Sequence, residues 1–235
     1  MPLAAVAEMG VKGLEVSWKD GMTSEQVRKA IEPHGLRVTT VCAEGGIGQD
    51  DFAATAETYA ARAAALDCRF LFWSVKPDPL SMEEGYERLK RIGDIVAARN
   101  VTVAMETHPP YGTNGDVGLK TMRAVNHPNI RVNFDTANIY YYNQNVATVE
   151  ELKKEAKYVA AVHLKDTMGG YRDARFPVFG EGAVDFAGIF RVLDGVGFDG
   201  PLTMEMEGDL YGPKNLEERI EHTRKSAKHI LGLWE

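Results

Sequence analysis

The chain has 235 residues, 44% of them hydrophobic, with 27 Lys+Arg against 34 Asp+Glu for a net charge of −7. That length supports one large core but is short for two, and the acidic balance excludes the basic footprint of a nucleic-acid binder. No apolar run is long enough to span a bilayer, the opening MPLAAVAEMG lacks a secretion signal's basic start, and Cys42 and Cys68 are too few for a disulfide framework. The expectation is a single cytoplasmic domain over residues 1–235.

Leu3, Val6 and Met9 form one helical stripe ended by Gly10. GLEVSW at 13–18 reads as a strand, followed by a helix from Ser24, its expected cap, to Pro33. LRVTTVCA at 36–43 is β-branched and strand-like, and leads through Gly45-Gly46 into an alanine-rich helix over 50–66. RFLFWSV at 69–75 is the next strand and 81–99 the next helix, opened by a Ser81/Glu84 capping box. A strand ending at Glu106, a helix over 117–125, a strand ending at Asp135 and a helix opened by Thr148 follow. The strand bearing His163 leads into the glycine-rich stretch 169–182, a helix over 186–196 with Asp185 as its cap, the strand bearing Glu205, and a last helix from Asn215 to the end. Strand and helix alternate throughout, which predicts a parallel sheet in a βα repeat. Only seven strands are found and the chain opens on a helix, so a closed (β/α) barrel would lack its first strand. The exposed edge is expected to be covered, by a partner segment or a second copy in a homo-oligomer.

Four segments carry the chemistry: VTVAMETH at 101–108, IRVNFDT at 130–136, AAVHLKD at 160–166 and PLTMEME at 201–207. Read as strands, each puts an apolar set on one face, such as Val101, Val103 and Met105, and a polar set on the other. With helices covering the apolar face, the polar face lines the barrel interior. Glu106, Asp135, His163 and Glu205 then meet near the C-terminal strand ends, where such barrels place their active sites. One imidazole and three carboxylates suit a divalent cation, Mn²⁺, Mg²⁺ or Co²⁺, with Zn²⁺ also admitted. Without a cation, three buried carboxylates would repel strongly. A cation chelating a ketone and its neighbouring hydroxyl acidifies the carbon-bound proton between them, and Glu106 and Glu205 are placed to remove and return that proton through an enediolate. Return to the opposite face is epimerisation; return to the adjacent carbon is aldose–ketose isomerisation.

The motifs GVKGLEVSW (10–18), AMETH (104–108), NFDTAN (133–138), VHLKD (162–166), FGEGAVDF (179–186) and GFDGPLTMEMEGD (197–209) cover nearly the whole chain. In this order and spacing they resemble the xylose isomerase-like TIM-barrel superfamily, in the group of ketose 3-epimerases, inosose isomerases and hydroxypyruvate isomerases. The resemblance implies a single-metal site of Glu106, Asp135, His163 and Glu205, with Glu106 and Glu205 as acid/base pair. Where epimerases of the group often carry a substrate-binding histidine three residues after the metal aspartate, this chain has Asn138.

His108 and Lys165 share the inward phase beyond Glu106 and His163 and are expected to meet substrate; the bland readings are a rim histidine bonded to the PPYG loop and a lysine paired with Glu205 or Glu207. Asn138 and Trp73 complete the expected substrate contacts, while Trp18, Trp73 and Tyr140 to Tyr142 serve equally as core or as sugar-facing walls. Asp166 has the outward phase of a loop anchor, and Glu15 with Arg131 reads as a buried ion pair. The leading function is a metal-dependent sugar or polyol-ketone isomerase or epimerase. A lyase or dehydratase using the same site is one alternative, and a non-catalytic sugar-binding or partner-binding subunit another. Endonuclease IV, a nuclease relative, is disfavoured by the charge and by the shortage of further histidines.

Overall fold

All seven expected strands are present in the computed structural model, which describes residues 1–76, 79–207 and 215–233. They are β1 (Gly13–Ser17), β2 (Arg37–Ala43), β3 (Phe70–Trp73), β4 (Thr102–Glu106), β5 (Ile130–Asp135), β6 (Val159–Leu164) and β7 (Leu202–Met204). They pair in parallel in chain order. The described helices are α1 (Leu3–Glu8), α2 (Ser24–Ile31), α3 (Phe52–Ala64), α4 (Met82–Ala97), α5 (Gly115–Val125), α6 (Asn138–Tyr142), α7 (Thr148–Glu155), α8 (Phe186–Gly195) and α9 (Leu216–Gly232).

The alternation in each strand decides which face meets the helices. Val41, Leu71, Val103, Phe134 and Val162 are fully buried on the outer face. They share one apolar core with Ala56, Ala60 and Ala63 of α3, Leu89, Ile92 and Val96 of α4, and Ile189 of α8. Burying each such large aliphatic side chain contributes about 1.5–3 kcal/mol, so the helical jacket and the sheet hold one another. The sheet curls into a nearly closed barrel. β1 and β7 come within 8 Å between Cα atoms but are not hydrogen-bonded to each other. The opening shows in the packing: every residue of β7 is only half-buried, whereas β4, inside the sheet, is buried at four of its five positions.

Some local expectations change. The cap of α2 is Thr23, not Ser24: Thr23 has the extended backbone of a cap, its hydroxyl accepts from the Gln26 amide, and the Gln26 side chain accepts from the Thr23 amide. The Ser81/Glu84 capping box and the Asp185 cap form as expected. Thr148 opens α7, but its hydroxyl donates to Thr136 O and does not cap the helix. Helix α6, which carries Tyr140 to Tyr142, had no periodic signal because five residues are too few to show one; it is seeded by Asp135, whose Oδ1 accepts from the Ala137 and Asn138 amides. The end of the last expected helix, residues 234–235, and the tail of the GFDGPLTMEMEGD motif, Gly208 and Asp209, lie outside the described residues.

Candidate metal centre

Glu106 ends β4, Asp135 ends β5, His163 lies one residue before the end of β6, and Glu205 directly follows β7. Ladder pairing sets Asp135 beside His163 and Glu106 beside Asn133. The barrel stagger brings the ligand atoms of Glu106, Asp135 and His163 within 4.8 Å of one another. His163 Nδ1 lies 3.5 Å from Glu106 Oε2 and 3.4 Å from Glu205 Oε2. Three of the four side chains are buried, while the Glu205 side chain retains 30% exposure and approaches from the open side.

Each ligand is held by a neighbour. Asp135 spends Oδ1 on the first amides of α6, which turns Oδ2 to the centre. Glu106 accepts at Oε2 from the Asn133 amide group and at Oε1 from Asn138, both at 3.1 Å. The Lys165 ammonium lies 3.0 Å from Asp135 Oδ2, 2.5 Å from Glu205 Oε2 and 2.7 Å from Glu207 Oε1, over the Phe176 ring. Asn138 Oδ1 lies 3.5 Å from the same ammonium.

The electrostatics follow from this crowding. Burial pushes the Glu106 carboxyl well above its usual range, and Asp135 and Glu205 add to that, against His163 and Lys165. Burial also raises Asp135, only partly offset by Lys165. For Glu205 the upward push of burial is outweighed by His163 and Lys165, which bring it down to about 2. Burial would lower His163 and Lys165, but the surrounding carboxylates hold both above their ordinary values. Asp135 Oδ2, His163 Nδ1 and Glu205 Oε2 are buried without a hydrogen-bond partner of good geometry. Asp135 Oδ2 and Glu205 Oε2, neutralised by the Lys165 ammonium, are turned with His163 Nδ1 to one place, and such an oxygen-rich set with a single imidazole fits a divalent cation.

The other expected contacts divide. Asn138 and Lys165 stand at the centre. His108 sits at the rim: its Nδ1 donates to Pro109 O at 2.9 Å and its ring meets Tyr142 edge-on. Tyr142 is close enough to the acids that, beyond burial and Tyr141, Glu106 and Asp135 help push its hydroxyl up to about 12. Trp73 is corrected: it has the outward phase, is 1% exposed within the core, and donates its indole N–H to Gly45 O. Its neighbour Phe72 points inward instead and stacks on His163, with 4.6 Å between ring centroids. Trp18 likewise packs away from the centre, bonded to Met22 O under the Arg62 guanidinium.

The Glu15–Arg131 ion pair does not form. Arg131 donates to His127 O and Ile130 O and lies over Tyr158, whereas Glu15 meets His163. Asp166 anchors the loop over 167–184 by accepting from the amides of Thr167, Gly180, Gly182 and Val184. The Gly180-Glu181-Gly182 turn thus spends two amides on a protein carboxylate. Glu207 pairs with Lys165, as the bland reading of that lysine had it, whereas Asn133, Phe72, Glu15 and Phe176 were given no part in the centre. For Asn133 and Glu15 the inward phase was legible; for Phe72 and Phe176 only packing across the barrel shows the contact.

Comparison with known proteins places the fold. The chain is similar to the inosose dehydratase of Erwinia tasmaniensis, 25% identical over 162 residues, which is 62% of this chain and 53% of that protein. The chain therefore spans about half the length of the curated relatives it matches. Its fold is similar to that of a D-allulose 3-epimerase from Methylomonas sp., with a TM-score of 0.79 and 16% identity over 98% of this chain and 90% of the other. It is equally similar to the IOLI protein solved with a bound zinc atom, with a TM-score of 0.79 and 17% identity over 100% of this chain and 93% of the other. Residues 3–227 match the xylose isomerase-like TIM barrel, and with parallel strands delivering acids and one imidazole to a common end, the chain belongs to that family.

Proposed function

We propose that this protein is a divalent-metal-dependent isomerase or epimerase of a small sugar or polyol ketone, moving a proton at the carbon beside the carbonyl. The observation that carries the reading is the meeting of Glu106 and Glu205, from strands three apart in the sheet order, at His163 Nδ1. Glu106, Asp135, His163 and Glu205 would hold one cation, Mn²⁺, Mg²⁺ or Co²⁺ with Zn²⁺ admitted, as a zinc atom is bound in the IOLI neighbour. When bound, it supplies Lewis-acid stabilisation of negative charge on the substrate oxygens. The chain's own groups do the rest. Glu205, the more accessible carboxylate, takes the carbon-bound proton; Glu106, oriented by Asn133 and Asn138, returns one. Lys165 presents a fixed positive charge toward the enediolate oxygens, and the loop carrying Phe176 limits access of water.

A second reading, elimination of water from the same ketone class, draws on the inosose dehydratase relatives and on the ammonium of Lys165 beside Glu205, a donor for the departing hydroxyl. Incubation with a panel of ketoses and inososes in D₂O, with Mn²⁺ present, tests both. The expected result is deuterium at the carbon next to the ketone in a product of unchanged mass otherwise, lost in Glu106→Gln and Glu205→Gln. An unsaturated product short by one water selects the dehydratase. No exchange with any substrate removes the enzymatic reading and leaves a binding subunit. A cytoplasmic homo-oligomer, with a second copy over the β1 and β7 edges, completes the proposal; a monomer mass by light scattering removes that part.

A further inference from the structure

Glu15 stands outside the ligand set, on the far side of His163. Its Oε2 lies 3.1 Å from His163 Nε2, and because a carboxylate only accepts, Nε2 carries the hydrogen. The other ring nitrogen, Nδ1, is the one turned toward Glu106 Oε2 and Glu205 Oε2. Phe72 stacks on the imidazole with an interplanar angle of 22°, fixing the plane of the ring while Glu15 fixes its rotation.

The first two strands are shaped to deliver this carboxylate. The β1–β2 ladder slips between Leu14 and Glu15, pairing Leu14 with Val38 but Glu15 with Thr40, so Thr39 is an inserted residue. A bulge of this kind re-aims the side chain beside it. The Thr39 hydroxyl donates to Leu14 O at 3.2 Å. A Cβ at position 13 would lie 2.5 Å from Thr39 Cγ2, so the glycine there gives the bulge its room. From β2 the Cys42 thiol stands near enough to Glu15 that, after burial, this carboxylate helps hold it above its ordinary range.

We infer that Glu15 is the positioning residue of the centre: it holds His163 with Nε2–H bonded outward and Nδ1 presented to a cation. The inference rests on the metal-centre reading above. Carboxylates behind metal-bound imidazoles act this way generally, and their removal typically costs about 10–100-fold in metal affinity.

The test is calorimetric titration of the full chain with Mn²⁺, comparing wild type, Glu15→Ala and Glu15→Gln. Glu15→Gln keeps the volume and a carbonyl acceptor for Nε2–H. Glu15→Ala is expected to weaken Mn²⁺ binding about 10–100-fold, with Glu15→Gln recovering much of the loss. In the Zn²⁺ complex of ¹⁵N-histidine-labelled protein, the His163 Nε2–H should be retained and slow to exchange in wild type and fast-exchanging in Glu15→Ala. Wild-type Mn²⁺ affinity in Glu15→Ala, or Zn²⁺ on Nε2 of His163, overturns the positioning role and leaves the metal centre standing. Failure of wild type to bind any divalent ion overturns both. If Glu15→Ala does not fold, Glu15→Leu, which fills the volume and offers no acceptor, decides: a weaker affinity with faster Nε2–H exchange supports the role, and wild-type values on both overturn it.

Discussion

Asp166→Asn changes one atom and should loosen the loop over the barrel mouth. The carboxylate Oδ1 accepts from Thr167 at 2.8 Å and Val184 at 3.2 Å, while Oδ2 accepts from Gly180 and Gly182, each at 2.9 Å. Asp166 is fully buried. Asparagine offers one oxygen and one NH₂, so either orientation of the amide sets two N–H donors against a third. A buried donor without a partner costs about 1–3 kcal/mol, so two cost about 2–6 kcal/mol. Backbone relaxation is restricted on the Gly182 side, where a Cβ would already lie 2.2 Å from Asp166 Oδ1. For a chain of this size each kcal/mol lowers Tm by about 2–4 °C, so Asp166→Asn should melt at least about 4 °C below wild type. Thermal unfolding by circular dichroism reads this, and limited proteolysis should cut within 167–184 sooner than in wild type. A variant that melts within about 1 °C of wild type and resists the protease equally would show that the four contacts do not hold the loop.

Three further outcomes follow from other sites. Mn²⁺ at about 100 times its Kd should stabilise the protein by about 2.7 kcal/mol, a gain that Asp135→Asn removes; an equal Tm shift in that variant would place the ion elsewhere. Gly85→Ala should destabilise, because the new Cβ would fall 1.7 Å from the Tyr111 hydroxyl oxygen. That hydroxyl is buried without a hydrogen-bond partner, so Tyr111→Phe should be neutral or stabilising alone and should rescue Gly85→Ala in part, the ring Cζ still lying 2.8 Å from the new Cβ; thermal melts of both single variants and the double variant decide, and additive losses would refute the clash. Glu155 is buried, and desolvation, with Glu151 adding to it, holds its carboxyl well above the usual 4.5. Below pH 4.5 folded and unfolded chains both keep that proton; above it only the unfolded chain releases it, so Glu155 lowers stability by up to about 1.4 kcal/mol per pH unit until the raised value is passed. Glu155→Gln should therefore gain on wild type as pH rises from 4.5 to 7 in denaturant titrations, and parallel pH profiles for the two proteins would contradict this.

Much of the molecule was legible in one dimension. Period-two alternation fixed which residues of 101–106, 130–135 and 159–164 face the helices, because an apolar side chain on a strand inside a helical jacket has only one dry side. The same alternation put Glu106, Asp135 and His163 on the inner face, and the capping pattern at Ser81 placed the start of α4. Other assignments depended on three dimensions. Trp73 is aromatic and lies at a strand end, as a sugar-facing residue would, yet its phase sends it into the core and leaves Phe72 to meet His163. Glu15 and Arg131 share the inner phase, but a partner is chosen by distance across the barrel: Glu15 finds an imidazole 148 positions away, while Arg131 is satisfied by backbone carbonyls close in the chain. Local sequence sets which face a side chain takes. Which of the groups on that face touch is set by sheet closure, stagger and the bulge at Thr39, and these belong to the assembled barrel.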